Sequence, residues 1–149
     1  MKLATSRILV QLSEQERNAV EAELAELNRQ SQQLRGQQQH ANQHITQLHR
    51  QRDQIMKQGN TASLLQAFNA SLIEQQHVIS IINNNIYQLE QQKQTILSRL
   101  KEACKTHHAY ETVHHQEEHR QQRQMEMSSQ RQLDDLIASR ASARAASES

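Results

Sequence analysis

An apolar heptad runs on both sides of one break, at Gly59-Asn60. Before the break, Val20, Leu27, Leu34, Ala41, Leu48 and Ile55 recur every seven residues and take position d. Arg17, Leu24, Ser31, Gln38, Ile45 and Arg52 take position a. After the break, Leu65, Leu72, Ile79, Ile86, Lys93, Leu100 and His107 take a, while Phe68, Gln75, Ile82, Leu89, Ile96, Ala103 and Tyr110 take d. A register held over this many heptads marks a coiled-coil seam rather than the broad apolar face of a globular helix.

The two registers are related. If the arms fold back at the break, each a position of one faces a d position of the other, and every facing pair sums to residue number 120. Ile55 meets Leu65, Leu48 meets Leu72, Ala41 meets Ile79, and Leu34 meets Ile86. Leu24 meets Ile96, Val20 meets Leu100, and Ile45 meets Gln75. Polar seam residues face large apolar ones: Ser31 with Leu89, Gln38 with Ile82, Arg52 with Phe68, Leu27 with Lys93. Arg and Lys lay their stems on such a seam and keep their charge in water. The expected fold is all-α, a long antiparallel two-helix coiled-coil hairpin with an extended, partly unpaired C-terminal helix.

Composition excludes the main rivals. The chain has 149 residues, no Pro, two Gly and only three aromatic residues, Phe68, Tyr87 and Tyr110. A sheet protein lacks its turn residues here, and a thick enzyme core lacks its side chains. Long disordered segments are rich in Pro, Gly and net charge; this chain is rich in Gln and carries a formal charge of +1. Its charges are interspersed, so there is no basic stripe for nucleic acid. One cysteine, Cys104, forms no intrachain disulfide and fits a reducing cytosol. No apolar stretch approaches the ~20 residues of a membrane span, and the opening MKLATSRILVQL is too short an apolar run for a secretory signal.

Local signals place the boundaries. Ser13-Glu14-Gln15-Glu16 has the form of a capping box with Leu12 as a staple residue, so residues 1–12 are expected as a leading segment, itself compatible with helix, and 13–58 as the first helix. Helix onset from Thr5 or Ser6 is the alternative. Residues 59–61 form the turn and 62–110 the paired part of the second helix. Residues 111–139 continue as an unpaired polar helix, and 140–149 form a disordered tail. Leu133, Leu136 and Ile137, with Met125 and Met127, are the apolar handles of the extension. Val78, Ile81 and Leu97 lie off the narrow seam, where they widen the stripe or mark a place for another helix to pack.

Catalytic signals are thin. His115-Gln116-Glu117-Glu118-His119 has the H-x-x-E-H form of a zinc peptidase, but a two-helix rod offers no cavity and no third ligand. It reads as a solvated helix face, as do His107-His108, His114-His115, and His40 with His44. Asn83-Asn84-Asn85 reads the same way. Cys104 sits at the seam edge without a base to activate it. There is no phosphate-binding loop. No enzyme, cofactor or metal is expected.

The strings SLLQAFNASLIEQQHVISIINNNIYQLEQQK, LSRLKEACKTHHAYETVHHQEEHRQQR and QRQLDDLIASRASARA resemble the FliJ family, the coiled-coil component of the flagellar type III export apparatus. Phe68 near the start of the second helix matches. So does a run containing Lys105, Tyr110, Glu111, Glu118 and Arg120, followed by the acidic pair Asp134 and Asp135. The resemblance implies a rod like the stalk of a rotary ATPase, a monomer or weak homodimer. It implies binding to the export ATPase hexamer, the membrane-embedded export gate and substrate chaperones, from the cytoplasm at the inner membrane. The ring-facing part would be residues 1–20 and 105–149. Candidate contacts are Glu111, Glu118, Arg120, Arg123, Leu133, Asp134, Asp135, Leu136 and Ile137. The analogous stalk of virulence type III systems is similar in shape and length. A self-assembling structural coiled coil is the other non-enzymatic reading, and a zinc-dependent hydrolase the reading of another class.

Overall fold

The computed structural model describes residues 2–59 and 62–148. It contains two helices, α1 (Leu3–Lys57) and α2 (Ala62–Glu148), paired antiparallel as a hairpin. α1 ends at the one left-handed position among the described residues. Gly59 has φ 71°, which costs a glycine nothing. Its N–H donates to the Met56 carbonyl at 3.3 Å, and Gln58 N–H reaches Gln54 and Ile55. This is a glycine C-cap that satisfies the last carbonyls of the helix. Of the expected turn 59–61, Asn60 and Thr61 lie outside the described residues.

By internal contacts the chain divides into two units, Asn18–Lys101 and, separately, the residues up to Arg17 with those from Glu102 onward. In the first unit the seam is one layer thick. Val20, Ala41, Leu48, Leu72, Ile82 and Leu89 are buried, as is Ser31 opposite Leu89. Leu24, Leu27, Leu34, Ile45, Ile55, Leu65, Phe68, Ile79, Ile86, Ile96 and Leu100 are half-buried. Two helices cover a large side chain from only one side, so most of the large seam residues keep part of their surface in water. Lys93 behaves as its stem predicts: its side chain is 20% exposed, and its Nζ reaches Glu90 at 3.6 Å. Arg99 bonds Glu23 across the helices at 2.9 Å, Arg35 pairs with Glu90 at 3.6 Å, and Gln38 donates to Asn83 at 2.7 Å. Exposed pairs of this kind are worth under about 1 kcal/mol each and mainly set register.

The second unit differs from the expected boundaries in three places. Of the two helix onsets read from the sequence, the structure lies nearer the earlier, and Ser13 does not cap a helix. α1 is already helical from Leu3, and the Ser13 hydroxyl, inside the helix, donates to the Val10 carbonyl at 2.9 Å. Pairing does not stop at Tyr110. Val113, His114 and Glu117 are still half-buried or better, and the exposed extension begins at Glu118. The stretch from Arg140 to Glu148 is helical rather than disordered, since Ala and Arg are strong helix formers and no Gly or Pro interrupts them.

Candidate partner-binding site

The paired part of this unit is built on alternating polar layers. Continued from the seam, the register places Ser6 and Ser13 at d of α1 and His114 and His107 at a of α2. Ser13 Oγ lies 3.0 Å from His107 Nδ1, and Ser6 Oγ lies 2.8 Å from His114 Nδ1. On its far side each imidazole meets a carboxylate one turn on, His107 Nε2 to Glu111 at 3.0 Å and His114 Nε2 to Glu118 at 2.9 Å. Ser6, Ser13 and His107 are buried. Buried polar groups persist only when their hydrogen bonds are made, and here each ring nitrogen has a partner. Between the two layers the register sets Val10 against Tyr110, both half-buried.

Glu111 and Glu118, expected as contacts for a partner, thus hold the two histidines. Arg120 is exposed and is engaged along its own helix. It donates to Glu117 through Nε and a terminal nitrogen at 3.1 and 3.0 Å. That bond holds the Glu117 carboxyl below its ordinary range, against the opposing effect of its partial burial. These three residues secure the base of the extension.

From Glu118 to Glu148 every described residue is exposed. Met125, Leu133, Leu136 and Ile137 are each more than half exposed. At 100° per residue they fall within one face of about 120°. Arg140 and Arg144 continue the same face. Arg123 and Asp135 are exposed, and Asp134 accepts from Gln130 at 3.2 Å. A helix this polar and this exposed is marginal alone in water, and its apolar face is what another surface would cover.

The H-x-x-E-H string has no metal geometry. Glu118 is engaged by His114, with His115 at 3.7 Å. Among the described residues no group of three or more His, Cys, Asp or Glu is placed to hold a metal ion. Cys104 is exposed rather than filling the seam edge. No described helix is long and apolar enough to cross a membrane.

The family model for the flagellar FliJ protein matches residues 7–147. The chain belongs to the FliJ family. No curated protein and no solved structure gives a significant match. FliJ-family proteins are non-catalytic, and this member is an all-helical coiled-coil protein. The match spans both arms, whereas the strings quoted above for the resemblance lie only in the second. Sequence reasoning missed Ser6, Ser13, His107 and His114 as interacting residues. Their signal was present: the two serines are seven apart, the two histidines are seven apart, and each facing pair obeys the same sum as the apolar layers.

Proposed function

We propose that this FliJ-family chain is a non-enzymatic stalk and escort of the flagellar protein export apparatus. It binds the export ATPase hexamer, touches the export gate membrane protein and cycles substrate chaperones in support of flagellum assembly. It works in the cytoplasm, associated with the inner membrane through the apparatus. The observation that supports this reading most is the helix from Glu118 to Glu148, exposed throughout and carrying one apolar face, in a chain whose family match runs through it.

In this reading Arg123, Leu133, Asp134, Asp135, Leu136 and Ile137 contact the ring. Glu111, Glu118 and Arg120 act one step back, by fixing the angle at which the extension leaves the paired helices. The test is amide hydrogen exchange of the full-length chain with and without the export ATPase. Protection gained across 118–148 is the expected result. Exchange there unchanged at saturating ATPase would overturn the assignment.

A further inference from the structure

A hydroxyl carries one hydrogen to donate, and an imidazole carries one or two. In both serine–histidine layers the hydroxyl donates to a carbonyl of its own helix, Ser13 to Val10 and Ser6 to Leu3, each at 2.9 Å. Its hydrogen is then used, and it turns a lone pair to the ring. His107 Nδ1 at 3.0 Å and His114 Nδ1 at 2.8 Å are therefore the donors across the seam. On the far side of each ring Nε2 faces a carboxylate, Glu111 at 3.0 Å and Glu118 at 2.9 Å. An ionised carboxylate only accepts, so Nε2 donates as well. A ring that donates from both nitrogens is an imidazolium.

The neutral ring makes a weaker layer. Its one hydrogen stays on Nε2 against the carboxylate, and its Nδ1 becomes an acceptor. The hydroxyl then has to leave the carbonyl to fill it. Three hydrogen bonds become two, and the ion pair across Nε2 is lost. Water restores little of this, since His107 is buried and the His114 side chain is 14% exposed. Other charges near the layers are few. On α1, Lys2 and Arg7 flank Ser6 in the chain and are exposed, while Glu14 and Arg17 near Ser13 lie 3.9 Å apart. On α2, His108 is exposed and Glu117 is held by Arg120. Among the described residues Glu111 pairs only with His107, and Glu118 with His114 and the exposed His115.

We propose that the two layers are proton-dependent clasps, formed by imidazolium and weakened when the proton leaves, so that the paired helices at the base of the extension loosen as pH rises. A proton held more tightly by the folded chain than by the unfolded one adds stability that is full below the ordinary histidine range, about 6.5, and fades as pH climbs above it. The proposal is independent of the export reading, because it concerns bonds within the chain.

The test is nitrogen-15 NMR of the imidazoles in the full-length chain at about pH 7.5, where an ordinary histidine is mostly neutral. Both ring nitrogens of His107 and of His114 should carry hydrogen, with the signals assigned by His107→Gln and His114→Gln. Thermal melts give a second readout. Between about pH 6 and pH 8 the parent's melting temperature should fall by at least about 4 °C more than that of the double variant Glu111→Gln, Glu118→Gln, whose amides accept from a neutral ring. A ring nitrogen without hydrogen at pH about 7.5, in either histidine, overturns the proposal. So does a pH dependence of melting that the double variant shares in full. Should that variant fail to fold, the parent's nitrogen spectra decide alone.

Discussion

Ser13 Oγ lies 3.0 Å from His107 Nδ1, across the seam from one helix to the other. The same relationship recurs between Ser6 and His114, seven residues away on each arm. Two hydrogen-bonded layers thus replace two apolar ones, and they hold the helices together up to the point where the exposed extension begins. A polar layer of this kind costs stability relative to leucine but penalises other registers, because a shifted helix would leave a buried imidazole without its hydroxyl.

Removing one member of the pair should cost more than removing both. His107→Ala opens a void in the layer and leaves the buried Ser13 hydroxyl with only its bond to the Val10 carbonyl, and about 1–3 kcal/mol of stability should be lost. The double variant Ser13→Ala, His107→Leu makes an apolar layer and should recover most of it. Thermal melts followed by circular dichroism check this. A His107→Ala melt that coincides with the parent's would show that the layer contributes nothing.

Leu89 is buried, with 6% exposed, and Ser31 is buried where the register places it opposite. Leu89→Ala should cost about 2–3 kcal/mol, the lower part of the usual range because a two-helix seam collapses easily around a void. Urea melts read at constant m would measure it.

The extension should separate from the hairpin in function but not the reverse. Truncation after Arg120 keeps both serine–histidine layers and should leave the melt of the paired helices nearly unchanged while binding of the export ATPase is lost. Truncation after Tyr110 removes His114 and Glu118 and should also lower the melting temperature. Full ATPase binding by the chain truncated after Arg120 would remove residues 121–148 from the interface.

Glu26 is exposed, yet its carboxyl is lowered from 4.5 to about 2, first by its bond to Arg29 and then by Gln30. The geometry is tight, with Arg29 at 2.6 and 3.0 Å. A carboxyl depressed in the folded state adds stability that is present above the ordinary value near 4.5 and is lost as pH falls through the folded value. Carboxyl carbon shifts followed by NMR should show Glu26 titrating well below the other glutamates. Arg29→Gln should bring it back toward them.

Positions 27 and 93 face each other by register, and helix axes in such pairs run about 8–10 Å apart. Spin labels at the two sites should report a single short intramolecular distance in dilute monomer. A separation of several nanometres would be incompatible with the hairpin.

Much of this protein was determined by its sequence. Heptad spacing specified two helices, Gly59 specified where the first must stop, and the constant sum of facing positions specified which residues meet. Those features are local or periodic, and a single chain carries them openly. The end of the pairing was not legible in the same way. Ser13 has the sequence of a helix cap, and His107 and His114 look like the loss of an apolar seam. Each residue type is ambiguous alone. Only the tertiary structure brought hydroxyl and imidazole to hydrogen-bonding distance, and a polar group counts as core only once its partner is in place.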